Sequence, residues 1–540
     1  MSSYYSFDCG CKFPVAEQSS VPKIIFDPNI DNISLSCSRT WELISEGNTK
    51  GCFQLESRLG QSMAKKLKPE NIEQLSALIS ILRPGCLEAY RDGKSVSNHY
   101  IDRKNGLEAI DYFHPALEPI LKATYGEMCF QEQAMGIAKS IAGFDLQEAD
   151  ELRKAIGKKQ ADKMAKVKTQ FIDGCARMSI VTTGEAEQIF GWIEKSQRYL
   201  FNASHAVSYA INAYLSAYAK AHFPRIFFAS YLRYAKDKID PQQEIKELVR
   251  NAGSMSINIR IPDLRNMNEF FYIKNKEIYF GLTDIKSVGA SVYKKLLEIC
   301  KDKDLSTLSW YDILIDILLN INSTAAKALI SCGALDYNKK TRTEMLFELD
   351  IISSLTKKEI EKINELRANK EYKNLSDILT EILNTFKFTG KRKETINNLI
   401  HTIKHPPFSL ADKIEWISDS ENSLLGVALT CSKLDTYDTT MANCDCQTFK
   451  TSTYNKNIII AGEISSINFI KTKRGKNPGQ EMAFIGIEDS VGILDSLIMF
   501  PDQLVEYKHH LFEGNILVFF GDKTKTGDGL VVSKCFEPMT

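Results

Sequence analysis

"YLFNASHAVSYAINAYLSAYAKAHFP", residues 199–224, sets Asn202, Ser204 and His205 where an apolar helix rich in Ala and Tyr begins. Asn or Ser at such a position accepts a bond from the first free N–H groups and caps the helix. A helix start also offers unpaired donors and a positive dipole end, which suit phosphate. A protonated His205 would add a further donor. A serine-centred triad is disfavoured, because no nucleophile elbow surrounds Ser204 and no Asp stands nearby. Cap and anion site are both open readings here.

Upstream lies the densest basic run of the chain, "RKAIGKKQADKMAKVK" at 153–168. Arg153, Lys154, Lys158, Lys159, Lys163, Lys166 and Lys168 face only Asp162, a local excess of six positive charges. On a helix Lys154 and Lys158, and Lys159 and Lys163, fall at i, i+4, so like charges repel. The run is either a solvated lysine face or a surface whose counter-charge comes from a polyanion, with Gly157 permitting close backbone approach.

Around these segments helical patterns dominate from about residue 49 to 245. In "EQAMGIAKSIAGF" Ala134, Ile137, Ala138 and Ile141 follow amphipathic spacing, and Gly143 supplies the stop. "ADELRKAIGKKQADKMAKVKTQFIDGCARM" reads as one or two helices, interrupted near Gly157. Between about 246 and 285 "INIRIPDL" and "EIYFGL" alternate, which predicts a small strand-bearing element. Helices resume to about residue 430, and "MANCDCQTFKTSTYNKN" reads as a polar linker. Five strand-like runs in the last stretch, 455–540, predict a five-stranded OB-fold barrel with "TKRGKNPGQE" as its first hairpin loop.

The fold class is therefore multidomain and mainly α, with a C-terminal OB-fold β-barrel. The expected divisions are an N-terminal segment 1–48, a helical domain 49–245, a small β element with paired hairpins 246–340, a helical connector 341–454 and the barrel 455–540.

Basic and acidic residues balance at 68 each, which excludes a globally basic protein but not a local basic surface. No apolar run approaches the roughly 20 residues of a membrane span, and the N-terminus lacks a signal-peptide core, so a cytoplasmic protein is expected. Thirteen cysteines without a secretion signal argue against a disulfide framework. Cys9/Cys11 and Cys444/Cys446 form Cys-x-Cys pairs, and Cys37 stands alone. A structural zinc needs about four ligands, and neither pair has a second one close in sequence. The expectation is reduced, metal-free thiols, with Cys9, Cys11 and Cys37 the first suspects otherwise; whether this chain binds any metal is an open question here.

Three blocks, "GCFQLESRLGQSMAKKLKPENIEQLSALISILRPG", "LEPILKATYGEMCFQEQAMGIAKSIAGFDLQEADELRKAIGKK" and the stretch at 199–224, stand in one order and spacing. In these the chain resembles the fingers region of bacterial DNA polymerase III alpha subunits. The resemblance runs on through "RIPDLRNMNEFFYIKNKEIYFGLTDIKSVG", a paired helix-hairpin-helix region and the barrel, from about residue 49 to 540.

The resemblance implies a replicative DNA polymerase component that binds the incoming deoxynucleoside triphosphate and primer-template DNA. It assigns nucleotide contacts to Arg153, Lys154, Lys158, Lys159, Asn202, Ser204 and His205. Gln54, Arg83, Gln131 and Glu132 match positions lining the active-site region. The family usually has two arginines at 153 and 154; Lys154 departs, and lysine is a point charge rather than a bidentate fork. Implied DNA contacts are Lys163, Lys166, Lys286 and Gly289, with Lys471, Lys473, Arg474 and Lys476 on the barrel loop suited to single-stranded template. The family's Gly-x-Gly hairpin turn reads here as "KSVGAS", keeping only Gly289. A sliding clamp is a further candidate partner, although no clear clamp-docking peptide stands out.

Polymerase chemistry needs carboxylates converging on two Mg²⁺ ions, and in the family these lie in a palm upstream of "FQLES". Asp27 and Asp31 sit in a turn-like stretch, and Asp312 and Asp316 on a helical pattern far downstream. Neither pair has the required setting, so no catalytic residue is assigned. The expectation is a carboxyl-terminal polymerase part whose Mg²⁺-binding palm is on a partner polypeptide, as in a phage with a split replicase gene. The alternatives are a non-catalytic DNA-binding accessory protein and, more distantly, a nucleotide-binding regulator.

Overall fold

Residues 4–24 pair as three short antiparallel strands, β1 (Tyr4–Ser6), β2 (Lys12–Ala16) and β3 (Lys23–Ile24), with Tyr5 opposite Phe13 and Val15 opposite Ile24. This computed structural model describes residues 4–539 except 17–22, 159–160, 197–198, 369, 371, 373, 452–454, 473–477, 525–526 and 528. The chain divides into two compact units, residues 1–227 and 228–540.

In the first unit the main helices are α1 (Ser38–Ser45), α2 (Ile72–Ile81), α3 (Gln131–Ala142), α4 (Leu146–Lys158), α5 (Ala161–Met178), α6 (Thr183–Ser196) and α7 (Ala203–His222). Every residue of α2 from Gln74 to Ile81 is buried, so this helix is the centre of the core. Its start is fixed by Asn71, whose side chain accepts the Gln74 N–H at 2.9 Å. Against α2 lies α7, with Ala206, Ala210, Ala213, Ala217 and Ala221 buried along one stripe. Alanine lets two backbones approach closely and is the best helix former. The predicted stop at Gly143 is present: it caps α3 at φ +65°, a left-handed conformation that suits glycine. The Gly157 region resolves into two helices, α4 and α5.

In the second unit Ile259–Arg260 pairs parallel to Glu277–Tyr279, which pairs antiparallel to Tyr272–Lys274, as the alternating runs predict. Helices follow, among them α8 (Ala290–Cys300) and α9 (Ser323–Ser331), around a shared core that includes Leu296, Leu314 and Leu329. The turn leading into α8 places Ser287 at φ +76°. A side chain in that region costs about 1–2 kcal/mol, whereas glycine at a site that tolerates it loses roughly 0.5–1 kcal/mol more entropy on folding. Ser287→Gly is therefore expected to raise the denaturation midpoint of this unit slightly, by roughly 0.5–1 kcal/mol of net stability. An unchanged or lowered midpoint would remove strain as the reading of this turn.

The last element is a closed barrel of β4 (Ile458–Lys471), β5 (Glu481–Glu488), β6 (Ile493–Met499), β7 (Ile516–Lys523) and β8 (Leu530–Phe536), in the order β5-β6-β8-β7-β4. A short helix, Pro501–Tyr507, connects β6 to β7. Alternate residues such as Ile458, Ile460, Ala483, Ile485, Leu497 and Phe519 fill the interior. One sequence reading needs correction. The "linker" at 441–457 contains a helical turn, Cys446–Thr451, whose Cys446 and Phe449 are buried in the barrel core. Two apolar side chains three positions apart are enough to seat a polar stretch on the barrel end.

Candidate functional site

The start of α7 is tied to the start of α3. Asn202 is the N-cap, its Oδ1 accepting the His205 N–H at 2.9 Å and the Ser204 hydroxyl at 2.6 Å. Glu132 completes the cap, accepting the Ala203 N–H at 2.9 Å and the Asn202 amide at 2.8 Å. Just before, the chains run side by side: Gln131 N–H donates to the Phe201 carbonyl and Phe201 N–H to the Cys129 carbonyl, at 2.9 and 3.1 Å. A carboxylate thus already occupies the positive end of the α7 dipole. The capping half of the sequence reading is thus present, with Glu132 taking the first amide of the helix. Asn202→Ala is expected to cost about 1 kcal/mol and Ser204→Ala close to nothing. Equal losses in thermal melts of the two variants would overturn that assignment.

Outside the cap runs a row of rings, His205 and Phe53 exposed and Phe201 and Tyr209 half-buried. His205 lies 4.2 Å from the Tyr209 ring and 5.2 Å from Phe201, at centroid distances. Tyr209 in turn lies 5.2 Å from Phe53. The Arg83 guanidinium sits 3.5 Å over the Phe201 ring, a cation–π contact. His205 and Tyr209 share one face of α7 by i, i+4 spacing, and Phe201 stands just before the N-cap. Phe53 is held by its N–H bond to the Ser216 hydroxyl at 3.0 Å, and Gln54 beside it is exposed at φ +64°.

The structure therefore brings Arg83, Glu132, Asn202, Ser204 and His205 together, with Gln131 joined through its backbone and Gln54 next to Phe53. Phe53, Phe201 and Tyr209 were missed from the sequence. The F-x-x-x-H-x-x-x-Y spacing is the signal that could have found Phe201 and Tyr209, while Phe53, remote in sequence, carries none.

The basic run has a carboxylate just upstream of it. Asp150, one turn before the run, accepts Arg153 at 2.8 Å and Lys154 at 2.7 Å. Their hydrogen bonds hold the Asp150 carboxyl below the usual range, Lys154 first and Arg153 second. Asp150 offsets part of the charge of these two exposed cations. Lys158 closes α4, but its side chain, and all of Lys159, lie outside the described residues. Lys163 and Lys166 are exposed on α5, opposite buried Met164, Val167 and Phe171.

In the second unit Gly289 is the N-cap of α8 and gives it no side-chain cap, so the first amides of that helix face outward beside exposed Lys286. Asn322 caps α9 instead, accepting the Ala325 N–H at 2.8 Å. On the barrel Lys471 is exposed at the end of β4, and Lys473, Arg474 and Lys476 fall outside the described residues. Nearby, Phe469 is 40 % exposed with the Lys508 ammonium 5.1 Å above its ring.

The carboxylates described do not fit a Mg²⁺ centre. Asp27 accepts bonds from the Asn29 N–H at 3.0 Å and the Asn32 amide at 2.7 Å, and Asp31 is exposed beside it. Arg367 bridges Asp312 and Asp316, at 2.5 and 3.2 Å. Among the described residues no three carboxylates converge. The cysteines give a different result. Cys9, Cys11 and Cys37 gather with His222, a residue 185 positions beyond Cys37 that the sequence reading did not consider. The fourth potential ligand is thus remote in sequence, where a search for local spacing does not reach. Cys444 and Cys446 join no such cluster among the described residues.

Residues 19–179 match the family model of the bacterial DNA polymerase III alpha subunit finger domain, and residues 256–345 that of a helix-hairpin-helix motif. The chain is 30% identical over 531 residues to a DNA polymerase III subunit alpha of Aquifex aeolicus, which covers 95% of this chain and 40% of that protein. It is 29% identical over 496 residues to one of Bacillus subtilis, covering 91% and 40%. With that of Pseudomonas aeruginosa it shares 37% over 316 residues, 57% of this chain and 26% of the relative. The chain spans about 40% of the length of the Aquifex aeolicus and Bacillus subtilis relatives. Among the described residues no helix is long and apolar enough to cross a membrane.

Proposed function

We propose, for a chain that matches the bacterial DNA polymerase III alpha subunit finger domain and a helix-hairpin-helix motif, that it is the nucleotide- and DNA-holding part of a replicative DNA polymerase. It would act in the cytoplasm with a palm on a separate chain. The observation that carries this reading is the row Arg83–Phe201–His205–Tyr209–Phe53 beside the α7 start. Half-exposed rings offer faces on which a base can stack, at about 1–3 kcal/mol per base. Arg83 and His205 supply donors at the edge of those faces, and charge-assisted bonds to phosphate are the stronger kind.

Lys163 and Lys166 on α5 would add sequence-independent attraction to a DNA backbone. The uncapped amides at the start of α8, with Lys286, suit a duplex phosphate. Phe469, Lys471 and Lys508 suit a single strand on the barrel. Mg²⁺ bound in the palm would neutralise charge developing on the transferred phosphoryl group. This chain's part is to hold base, triphosphate and duplex in place.

The protein is expected to bind primed DNA yet not extend it with any divalent metal until a palm-bearing polypeptide is added. Lys163→Ala with Lys166→Ala should weaken binding on all sequences alike and reduce the salt slope by about one per lost contact. Robust extension by the highly purified chain alone would sink the assignment. Tight binding with no extension alongside any palm-bearing polypeptide from the same genome would favour the second reading, a DNA-binding accessory protein.

A further inference from the structure

We propose that Cys9, Cys11, Cys37 and His222 bind one structural Zn²⁺ ion. Their ligand atoms all lie within 4.8 Å of one another. The Cys37 sulfur is 3.4 Å and the Cys9 sulfur 4.0 Å from His222 Nε2. Tetrahedral zinc, with Zn–S about 2.3 Å and Zn–N about 2.0–2.1 Å, sets sulfur and nitrogen about 3.5 Å apart and two sulfurs about 3.8 Å apart. The two sulfur–nitrogen distances bracket that value, and the 4.8 Å limit on all pairs leaves only a small contraction onto an ion.

Each ligand is placed by ordinary local structure. Cys9 and Cys11 flank Gly10 at the turn between β1 and β2. Gly10 N–H donates to the Phe7 carbonyl and Phe7 N–H to the Cys11 carbonyl, both at 2.9 Å, while Gly10 takes φ +84°. Cys37 is the residue before α1 and makes no side-chain cap, so its sulfur is available. Its backbone N–H is held by the Tyr214 hydroxyl at 3.2 Å. His222 ends α7 and turns Nε2 toward the sulfurs, while its Nδ1 is buried without a hydrogen-bond partner.

The surroundings suit a closed site. Cys11, Cys37 and His222 are buried, and Phe7, Phe13 and Tyr218 pack on the His222 ring at 4.7, 5.3 and 4.3 Å. All three cysteines are free thiols. Three thiolates with one imidazole form a soft, four-coordinate set that leaves no open position, which marks a structural rather than a catalytic ion. Three thiolates outweigh Zn²⁺ by one negative charge, and a cation is near: the Arg39 guanidinium lies 5.6 Å from the Phe7 ring, which packs on His222. The ion would fasten the β1–β2 turn and the head of α1 to the far end of the helix whose other end carries His205.

The test uses the whole chain, purified without chelator and under reducing conditions. About one equivalent of zinc by mass spectrometry of the metal is expected, falling below about a tenth in Cys37→Ser and unchanged in Cys444→Ser. Because Cys37→Ser can also disturb folding, the wild-type protein exchanged into Co²⁺ supplies an independent readout. The ligand-field and thiolate charge-transfer bands of a tetrahedral Cys₃His site are expected. Removing the metal should open the segment 1–37 to limited proteolysis, with protection restored by zinc. Less than about a fifth of an equivalent from zinc-supplemented cells, an octahedral cobalt spectrum, or zinc retained in Cys37→Ser would each overturn the proposal. So would a disulfide among Cys9, Cys11 and Cys37 in freshly reduced protein.

Discussion

Arg342→Ala is expected to destabilise the second unit by about 3–5 kcal/mol, the usual cost of stranding one partner of a buried ion pair. The Arg342 guanidinium is 2 % exposed and lies between Asp336 and Glu421, each 2.8 Å away. It also donates to the Ser331 carbonyl at 3.1 Å, at the end of α9. Glu421 is fully buried and accepts the Leu429 and Thr430 N–H groups at 2.6 and 2.9 Å. Without Arg342 that carboxylate keeps its burial and loses its cation. Denaturant melts should show the loss as a shifted midpoint at nearly unchanged slope. Arg342→Met combined with Glu421→Leu removes both charges and is expected to lose much less than the single variant. A single variant within about 1 kcal/mol of wild type would mean the pair is better hydrated than its geometry implies.

His205→Ala should lower kcat/KM for nucleotide about tenfold to a hundredfold in the polymerase reconstituted with its palm, because a lost charge-assisted donor is worth roughly 1.5–3 kcal/mol. The melting temperature should barely move. The imidazole is exposed, and the Asn202 cap bonds the His205 backbone, which alanine keeps. Tyr209→Leu tests the stacking face separately, with an expected rise in KM at similar kcat. Wild-type kinetics with a lower melting temperature would leave both rings as packing.

Much of the fold was legible because burial here follows strict periods. The alanine stripe of α7 recurs every three or four residues, and the barrel strands alternate, so both patterns announce their buried face. The illegible parts share one cause: each depends on a partner remote in sequence or outside the motif being read. Phe449 looks like one aromatic in a polar stretch until a barrel core receives it. Glu132 matches a position lining the active-site region, and only folding shows that it caps a helix seventy residues on. Asp150 sits just outside the basic run and changes its charge. For the candidate site, the polar residues were readable from the resemblance, whereas the rings between them appear only once α7 is turned to face Phe53.

The two oxygens of Glu132 also have a mechanical consequence. They grip the first amide and the cap of α7 from the first turn of α3, so two helix heads from distant segments form a single stiff joint. A domain closing on its substrate moves through hinges, which need backbone groups able to exchange partners at low cost. This joint has few to exchange, because its donors and acceptors are already matched. Closure around a nucleotide would then carry α3 and α7 as one rigid block, with the bending displaced to the loops beyond them. In hydrogen-exchange terms, the Ala203 and His205 amides should exchange as slowly as core amides despite lying at a helix end.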